Sequence, residues 1–127
     1  MIFGTGVDII KISRIEKVIK KWGDRFIDRV FTPDEKAFCL KRIKPYPAFA
    51  LRFAAKEAFS KALGTGMRKG VFWRDIEVFH FKSGKPGLNI YGTSLSLCEK
   101  EEIKSFHVSL SDEDEYGVAM VILEKQL

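Results

Sequence analysis

Cysteine is almost missing from the sequence: Cys39 and Cys98 are the two present, far apart and each among apolar neighbours. With no second cysteine at metal-ligand spacing, they read as free buried thiols and not as a disulfide framework or a zinc site. Proline is scarce too, at four residues, and no low-complexity tract, linker or internal repeat divides the 127 residues. Nothing in the composition therefore calls for disorder or a repeat architecture. The N-terminus lacks a basic segment ahead of an apolar run, and Asp8 interrupts its hydrophobic stretch. No secretory signal is expected. No apolar run reaches the length of a bilayer crossing, so no membrane partner is expected either. These absences together predict a cytoplasmic protein.

What is there is an ordinary globular composition, 46% hydrophobic and 31% charged, sized for one domain over residues 1–127. The 22 Lys and Arg outnumber the 17 Asp and Glu and leave a net charge of +5. An anionic partner is favoured, and nucleic acid, a phosphate-rich small molecule or an acidic protein would each satisfy the charge.

The residue pattern predicts a first strand over Ile2–Ile10, loosened by Gly4 and Gly6. Ser13 and Glu16 have the spacing of a capping box, starting a helix that buries Ile12, Ile15, Ile19 and Trp22 and ends at Gly23. Asp24 is placed to cap a short second helix through Val30. Thr32-Pro33-Asp34-Glu35 starts a third that runs to about Arg42. After Pro45 and Pro47 a long helix spans about Ala48–Leu63 and ends at Gly64-Thr65-Gly66. Strands follow from Ile76 and over Leu88–Tyr91, joined by Ser83-Gly84-Lys85-Pro86-Gly87. A helix from Thr93 to Ile103 and strands Phe106–Leu110 and Tyr116–Leu123 complete the chain. This order predicts an α+β fold with helices packed on a largely antiparallel sheet. The last strand is apolar on both faces, as befits a central strand or one buried against another subunit.

Four places could carry chemistry. Asp8 ends an apolar strand, where an unpaired carboxylate is costly and needs a metal, an arginine or backbone N–H groups, unless it is a turn or cap residue. On the long helix, Phe49, Phe53, Glu57 and Lys61 share one stripe, with Arg52, Lys56 and Ser60 beside it. Asp8 and Glu57 offer two carboxylates for magnesium, which is commonly held by one or two carboxylates plus phosphates and water. The alternative is a plain surface pair between Glu57 and Lys61. His107 alternates onto the polar face of its strand with Ser109 and Ser111, free to act as a base or to stand merely exposed. His80, between Phe79 and Phe81, reads as structural. Finally, Arg14, Lys17 and Lys21, continuing to Arg25 and Arg29, form a basic face that is either solvated or a docking surface.

The run Arg52-Phe53-Ala54-Ala55-Lys56-Glu57-Ala58-Phe59-Ser60-Lys61-Ala62-Leu63-Gly64-Thr65-Gly66 resembles the signature of the holo-[acyl carrier protein] synthases, the small trimeric type of the 4′-phosphopantetheinyl transferase family. Gly6-Val7-Asp8-Ile9-Ile10 with Arg14 resembles that family's opening motif. Asp75-Ile76-Glu77-Val78 with Gly84-Lys85-Pro86 resembles its middle, and His107-Val108-Ser109-Leu110 its closing strand. The resemblance implies transfer of 4′-phosphopantetheine from coenzyme A to a serine of apo-acyl carrier protein, in fatty acid biosynthesis. It implies a homotrimer with active sites at the subunit interfaces and Mg2+ on Asp8 and Glu57. Arg52, Lys56, Lys61 and Gly64-Thr65-Gly66 would lie along the coenzyme, with Gly84-Lys85-Pro86 near its adenosine end. His107 would approach from the neighbouring subunit, and Lys61 would stabilise charge as the bond breaks. Either Glu57 by way of a water or His107 directly would take the serine proton. Arg14, Lys21, Arg25 and Arg29 would receive the acidic helix of the carrier. Where some family members have a second histidine, this chain has Asp112. The competing readings are a non-catalytic basic module for nucleic acid or an acidic protein, and an inactive relative that only holds coenzyme A.

Overall fold

The computed structural model describes residues 1–126; Leu127, the last residue of the expected domain, lies outside them. In chain order the elements are β1 (Ile2–Lys11), α1 (Ile12–Trp22), α2 (Asp24–Val30), α3 (Pro33–Leu40) and α4 (Tyr46–Leu63). A short 3-10 turn (Trp73–Asp75), β2 (Ile76–His80), β3 (Pro86–Ile90), α5 (Gly92–Lys100), β4 (Ile103–Asp112) and β5 (Tyr116–Lys125) follow. The sheet is split. One sheet has three strands in the order β1-β5-β4, the other is the hairpin β2-β3, and every pairing is antiparallel. The α+β class expected from the element order is the one observed.

Helix α4 is the centre of the molecule. Among the described residues its buried positions run around most of its circumference, from Ala48 and Phe49 to Ala62 and Leu63. One side lies on β1 and β5, and the other meets α1, α3 and β2. Its contact with β1 is backbone to backbone. A Cβ at Gly6 would stand 2.8 Å from Ala62 N and closer still to Ala58 O, and one at Gly4 would fall on Ala62 O. The two glycines therefore do not loosen the strand, as the sequence suggested. They let a helix lie directly on it.

The inner sheet face is closed by Ala119, Val121 and Leu123, all fully buried against α4. The outer face is open in the single chain. Val7 pairs with Met120 and Ile9 with Val118 across it, and Val7, Ile9 and Met120 are 59%, 63% and 44% exposed. Strand β5 is thus central, and its second apolar face is uncovered.

Several local expectations need correction. Ser13 does not cap α1; the helix starts at Ile12, whose N–H donates to Glu115 O at 2.8 Å, so the β4–β5 turn supplies the cap. Trp22 is 48% exposed instead of buried, because the last turn of α1 projects past the core. Asp24 is the first residue of α2 and pairs with Lys36 (3.2 Å) instead of capping. Helix α3 stops at Leu40, α4 begins at Tyr46 with Pro47 in its first turn, and α5 ends at Lys100, leaving Ile103 to β4. The Thr32–Glu35 capping box is present in both directions.

Replacing Gly6 with alanine puts a methyl group onto an α4 carbonyl that cannot move alone. The cost should be about 3 kcal/mol or more, since overpacking against rigid backbone has no cheap relaxation. Urea denaturation would measure it. An unshifted midpoint would mean that β1 does not rest on α4 in solution.

Candidate functional site

The C-terminal half of α4 carries the first cluster. Because Gly4 and Gly6 bring β1 onto the helix, the next inward-facing residue of the strand, Asp8, arrives beside the α4 stripe that leaves the core at Glu57 and Lys61. Lys61 Nζ donates to Asp8 Oδ1 at 3.0 Å and to Val7 O at 3.1 Å. The Glu57 carboxyl is held above its ordinary range, first by burial and then by the charge of Asp8, with Lys61 opposing. Two carboxylates close enough to repel, with one ammonium between strand and helix, form a donor set of hard oxygens. That set suits magnesium, which needs only one or two carboxylates when phosphates and waters complete its shell. No group of three or more ligating side chains occurs among the described residues, so a protein-only cage is not part of this arrangement.

Below Lys61 the helix ends on Gly64, whose φ of 89° is the left-handed value that glycine supplies. The N–H groups of Gly64, Thr65 and Gly66 all turn back to Ser60 O, at 3.1–3.2 Å. This turn therefore offers shape and the Thr65 side chain, not a cradle of free amides.

A second cluster surrounds a cavity of about 340 Å³ between the 41–45 loop and the β2–β3 hairpin. Arg52, Gly84 and Pro86 line it, as do Phe38, Arg42, Lys44 and His80; Lys85 is exposed on the same turn as Gly84. The sequence reading missed Phe38, Arg42 and Lys44, which carry no motif and are assembled only by folding. It also dismissed His80.

Lys56 does not join either cluster. Its side chain is fully buried, and its three N–H bonds go to Glu35 Oε1 (2.8 Å), Trp73 O (3.0 Å) and Ile76 O. No proton is left for a ligand, so the expectation that Lys56 touches the coenzyme is corrected to a structural role. Burial pushes the Lys56 ammonium below its usual range, with Glu35 opposing. Glu35 in turn accepts from Thr32 N and Val78 N, both at 2.9 Å, tying α3, α4 and β2 together.

His107 stands on the outer face of β4, opposite Ile122, and its Nε2 lies 2.6 Å from Glu124 Oε1. Asp8 faces the other way, toward α4, so one chain does not bring His107 to the Asp8–Glu57 cluster. Arg14, Lys21, Arg25 and Arg29 are all exposed. Exposed Trp22 lies between two of them, with Lys21 Nζ 5.2 Å and Arg25 Cζ 5.9 Å from its ring. The thiols are inert: burial lifts Cys39 to about 12 and Cys98 to about 11.

Residues 4–121 match the sequence pattern of the 4′-phosphopantetheinyl transferase superfamily. The chain is 43% identical over 125 residues to the holo-[acyl-carrier-protein] synthase of Geobacter sulfurreducens, covering 98% of this chain and 99% of that protein. The solved holo-[acyl-carrier-protein] synthase of Neisseria meningitidis superposes with a TM-score of 0.89 at 43% identity, over 98% of this chain and all of the other. The Helicobacter pylori synthase, solved in complex with coenzyme A, superposes with a TM-score of 0.84 at 30% identity, over 94% and 99% of the two chains.

Two variants separate site from scaffold. Asp8→Asn removes one of the charges that hold Glu57 up, so the Glu57 titration should move down, read by carboxyl 13C NMR in metal-free protein. The sign is Coulombic: without the Asp8 charge, ionised Glu57 is less repelled and loses its proton more readily. An unmoved Glu57 would separate the two carboxylates. Lys56→Met should cost about 3–5 kcal/mol, because it strands the buried Glu35 charge. Adding Glu35→Gln should return part of that loss in thermal melts, and strict additivity would dissolve the pair.

Proposed function

The chain belongs to the 4′-phosphopantetheinyl transferase superfamily, and on that premise we propose that it acts as the holo-[acyl-carrier-protein] synthases do. It transfers 4′-phosphopantetheine from coenzyme A to a serine of apo-acyl carrier protein, releasing adenosine 3′,5′-bisphosphate, as a step of fatty acid biosynthesis. The observation that carries this reading is the Asp8–Glu57–Lys61 cluster, built on the helix that bears the family's long motif. The rival basic module leaves these two crowded carboxylates without a role.

Asp8 and Glu57 would hold magnesium, whose part is to offset the charge of the coenzyme pyrophosphate. Lys61, now tethered to Asp8 and Val7 O, is the cation in reach of a phosphoryl group placed there. Its ammonium can donate to the oxygen that takes the electron pair when the pyrophosphate P–O bond breaks. The serine oxygen forms the new P–O bond at the β-phosphorus, and its proton goes to Glu57 through a water or to His107. Phosphoryl transfer asks the protein chiefly for such placement and charge neutralisation. Arg52, Gly84, Lys85 and Pro86 would receive the adenosine end in their cavity, and the Gly64-Thr65-Gly66 turn would border the arm.

We take the working form to be a homotrimer with active sites shared between subunits. The uncovered face of Val7, Ile9, Val118, Met120 and Ile122 supports this, because exposed apolar area of that kind is normally covered. His107 lies on that same face, which is where a residue serving a neighbour's site must be. The acidic recognition helix of the carrier would dock on Arg14, Lys21, Arg25 and Arg29, with Trp22 as an apolar contact among the charges. The reading places this single domain in the cytoplasm, a reducing compartment that suits its free thiols.

Intact-mass analysis of apo-acyl carrier protein with the enzyme, coenzyme A and magnesium should show the addition of one phosphopantetheine. Chelation should abolish it, and Glu57→Gln should lower the rate by at least about a hundredfold, the scale of losing a principal electrostatic group. No mass gain with several carriers would reject the transferase reading.

A further inference from the structure

We propose that His80 is a positioning residue for the coenzyme pocket, its neutral imidazole holding the buried Arg52 guanidinium at the cavity wall. The inference rests on the reading that Arg52 lies along the coenzyme, and it adds a residue that no motif marks.

Arg52 is 2% exposed, and its guanidinium has only donors to offer. Nη1 donates to Ala48 O at 3.1 Å, and Nη2 lies 3.3 Å from His80 Nδ1. Arginine does not give up its proton, so Nδ1 must be the acceptor, and the single ring proton sits on Nε2. The contact therefore defines both the tautomer and the charge of His80. Its ring is also fixed in orientation. It stacks on Phe38 at 4.8 Å with 5° between planes, and the Arg52 and Arg42 guanidinium carbons lie 4.1 and 4.7 Å from that same phenylalanine ring.

These two contacts engage two of the five guanidinium donors, and one nitrogen is left with no partner at all. Arg52 Nε is buried and has no hydrogen-bond partner, although polar groups so placed are nearly always satisfied. Arg52 lines the cavity together with Arg42 and Lys44, so three cations converge where an anionic group of the coenzyme can enter. His80 sets the guanidinium plane, and with it the direction in which the remaining donors point.

The arrangement is sensitive to a proton. A protonated His80 would carry N–H at Nδ1 against Nη2–H, turning an attraction into a repulsion. Burial holds the imidazole below its ordinary range, helped by Arg52 and then Arg42. The other charged groups around it are Lys44 from the 41–45 loop and Asp112 from β4 on the cavity side, with Asp34 from α3 and Glu77 from β2 lining a second cavity that His80 also lines.

Steady-state kinetics on the intact enzyme test this with three variants. His80→Leu should raise KM for coenzyme A about tenfold and leave kcat little changed, the scale of one hydrogen bond to a charged group. His80→Asn restores an acceptor near the position of Nδ1 and should bring KM back to within about twofold. Wild-type KM should climb as pH falls through the range where His80 protonates. The Asn variant should lack that climb, and the comparison subtracts Asp34, Glu77 and Asp112, which both enzymes keep. Arg52→Gln separates the premise from the inference. If it raises KM and His80→Leu does not, His80 has no positioning role while the coenzyme reading stands. If Arg52→Gln leaves KM unchanged, the premise falls and the inference with it. If Leu and Asn raise KM equally, at all pH values, the imidazole only fills space.

Discussion

Everything in the molecule follows from how closely α4 lies on β1. Helices ordinarily ride on sheets over a layer of side chains. Here Gly4 and Gly6 remove that layer, and the helix backbone meets the strand. Asp8 is the next residue of the inner face to carry a side chain, and it does so where α4 passes from apolar stripe to Glu57 and Lys61. A strand and a helix separated by a normal packing distance would hold these three groups too far apart to share a charge. Burial, and after it the nearby charge of Asp8, holds the Glu57 carboxyl above its usual range against the opposing Lys61.

The opposite side of α4 is fastened by different means. Lys56 and Glu35 form an ion pair with no exposed side-chain surface, each also bonded to backbone. Buried pairs of this sort add little net stability compared with apolar packing, but they are exacting about geometry. Glu77 continues the polar seam, accepting from Thr32 Oγ1 at 2.6 Å, Tyr91 OH at 3.1 Å and Asn89 Nδ2 at 3.3 Å. These three bonds hold its carboxyl low against the burial that would raise it. The helix is thus pressed onto β1 by glycine and keyed to α3 and β2 by charge. Its two polar regions, Arg52 toward the cavity and Glu57–Lys61 toward Asp8, are fixed relative to each other.

The sequence disclosed the periodic and local features well. The alternation in β4, the Thr32–Glu35 capping box and the succession of strands and helices are short-range patterns, and each is present as read. That Asp8 needs a partner was legible, because a carboxylate is unusual at the end of an apolar strand; that the partner is Lys61 was not, since the lysine was paired by spacing with Glu57 on its own helix. Lys56 was misread in a similar way: a lysine in a basic motif looks like a ligand donor until its partner, Glu35, is found on another helix. Trp22 looked apolar by spacing, yet helix α1 outruns the core it packs on. The cavity around Phe38, Arg42, Lys44 and His80 was illegible, since its walls come from α3, a loop and a hairpin with no common period. His107 and Asp8 sit on opposite faces of one sheet, so no reading of a single chain could bring them together.

Strand β5 lies between β1 and β4, pairing Ile9 with Val118 on one side and Leu110 with Ala119 on the other. A growing polypeptide therefore makes β1 long before the strand that completes it. Until the ribosome passes Tyr116, β1 has no hydrogen-bonding neighbour, and long-range pairing of this kind is slow to form. Helix α4 is available sooner and can shelter the inner side of β1, but its outer residues Val7 and Ile9 stay bare. A messenger cut short before β5 would thus yield not a smaller enzyme but an adhesive fragment, its strand edge open to any other nascent chain.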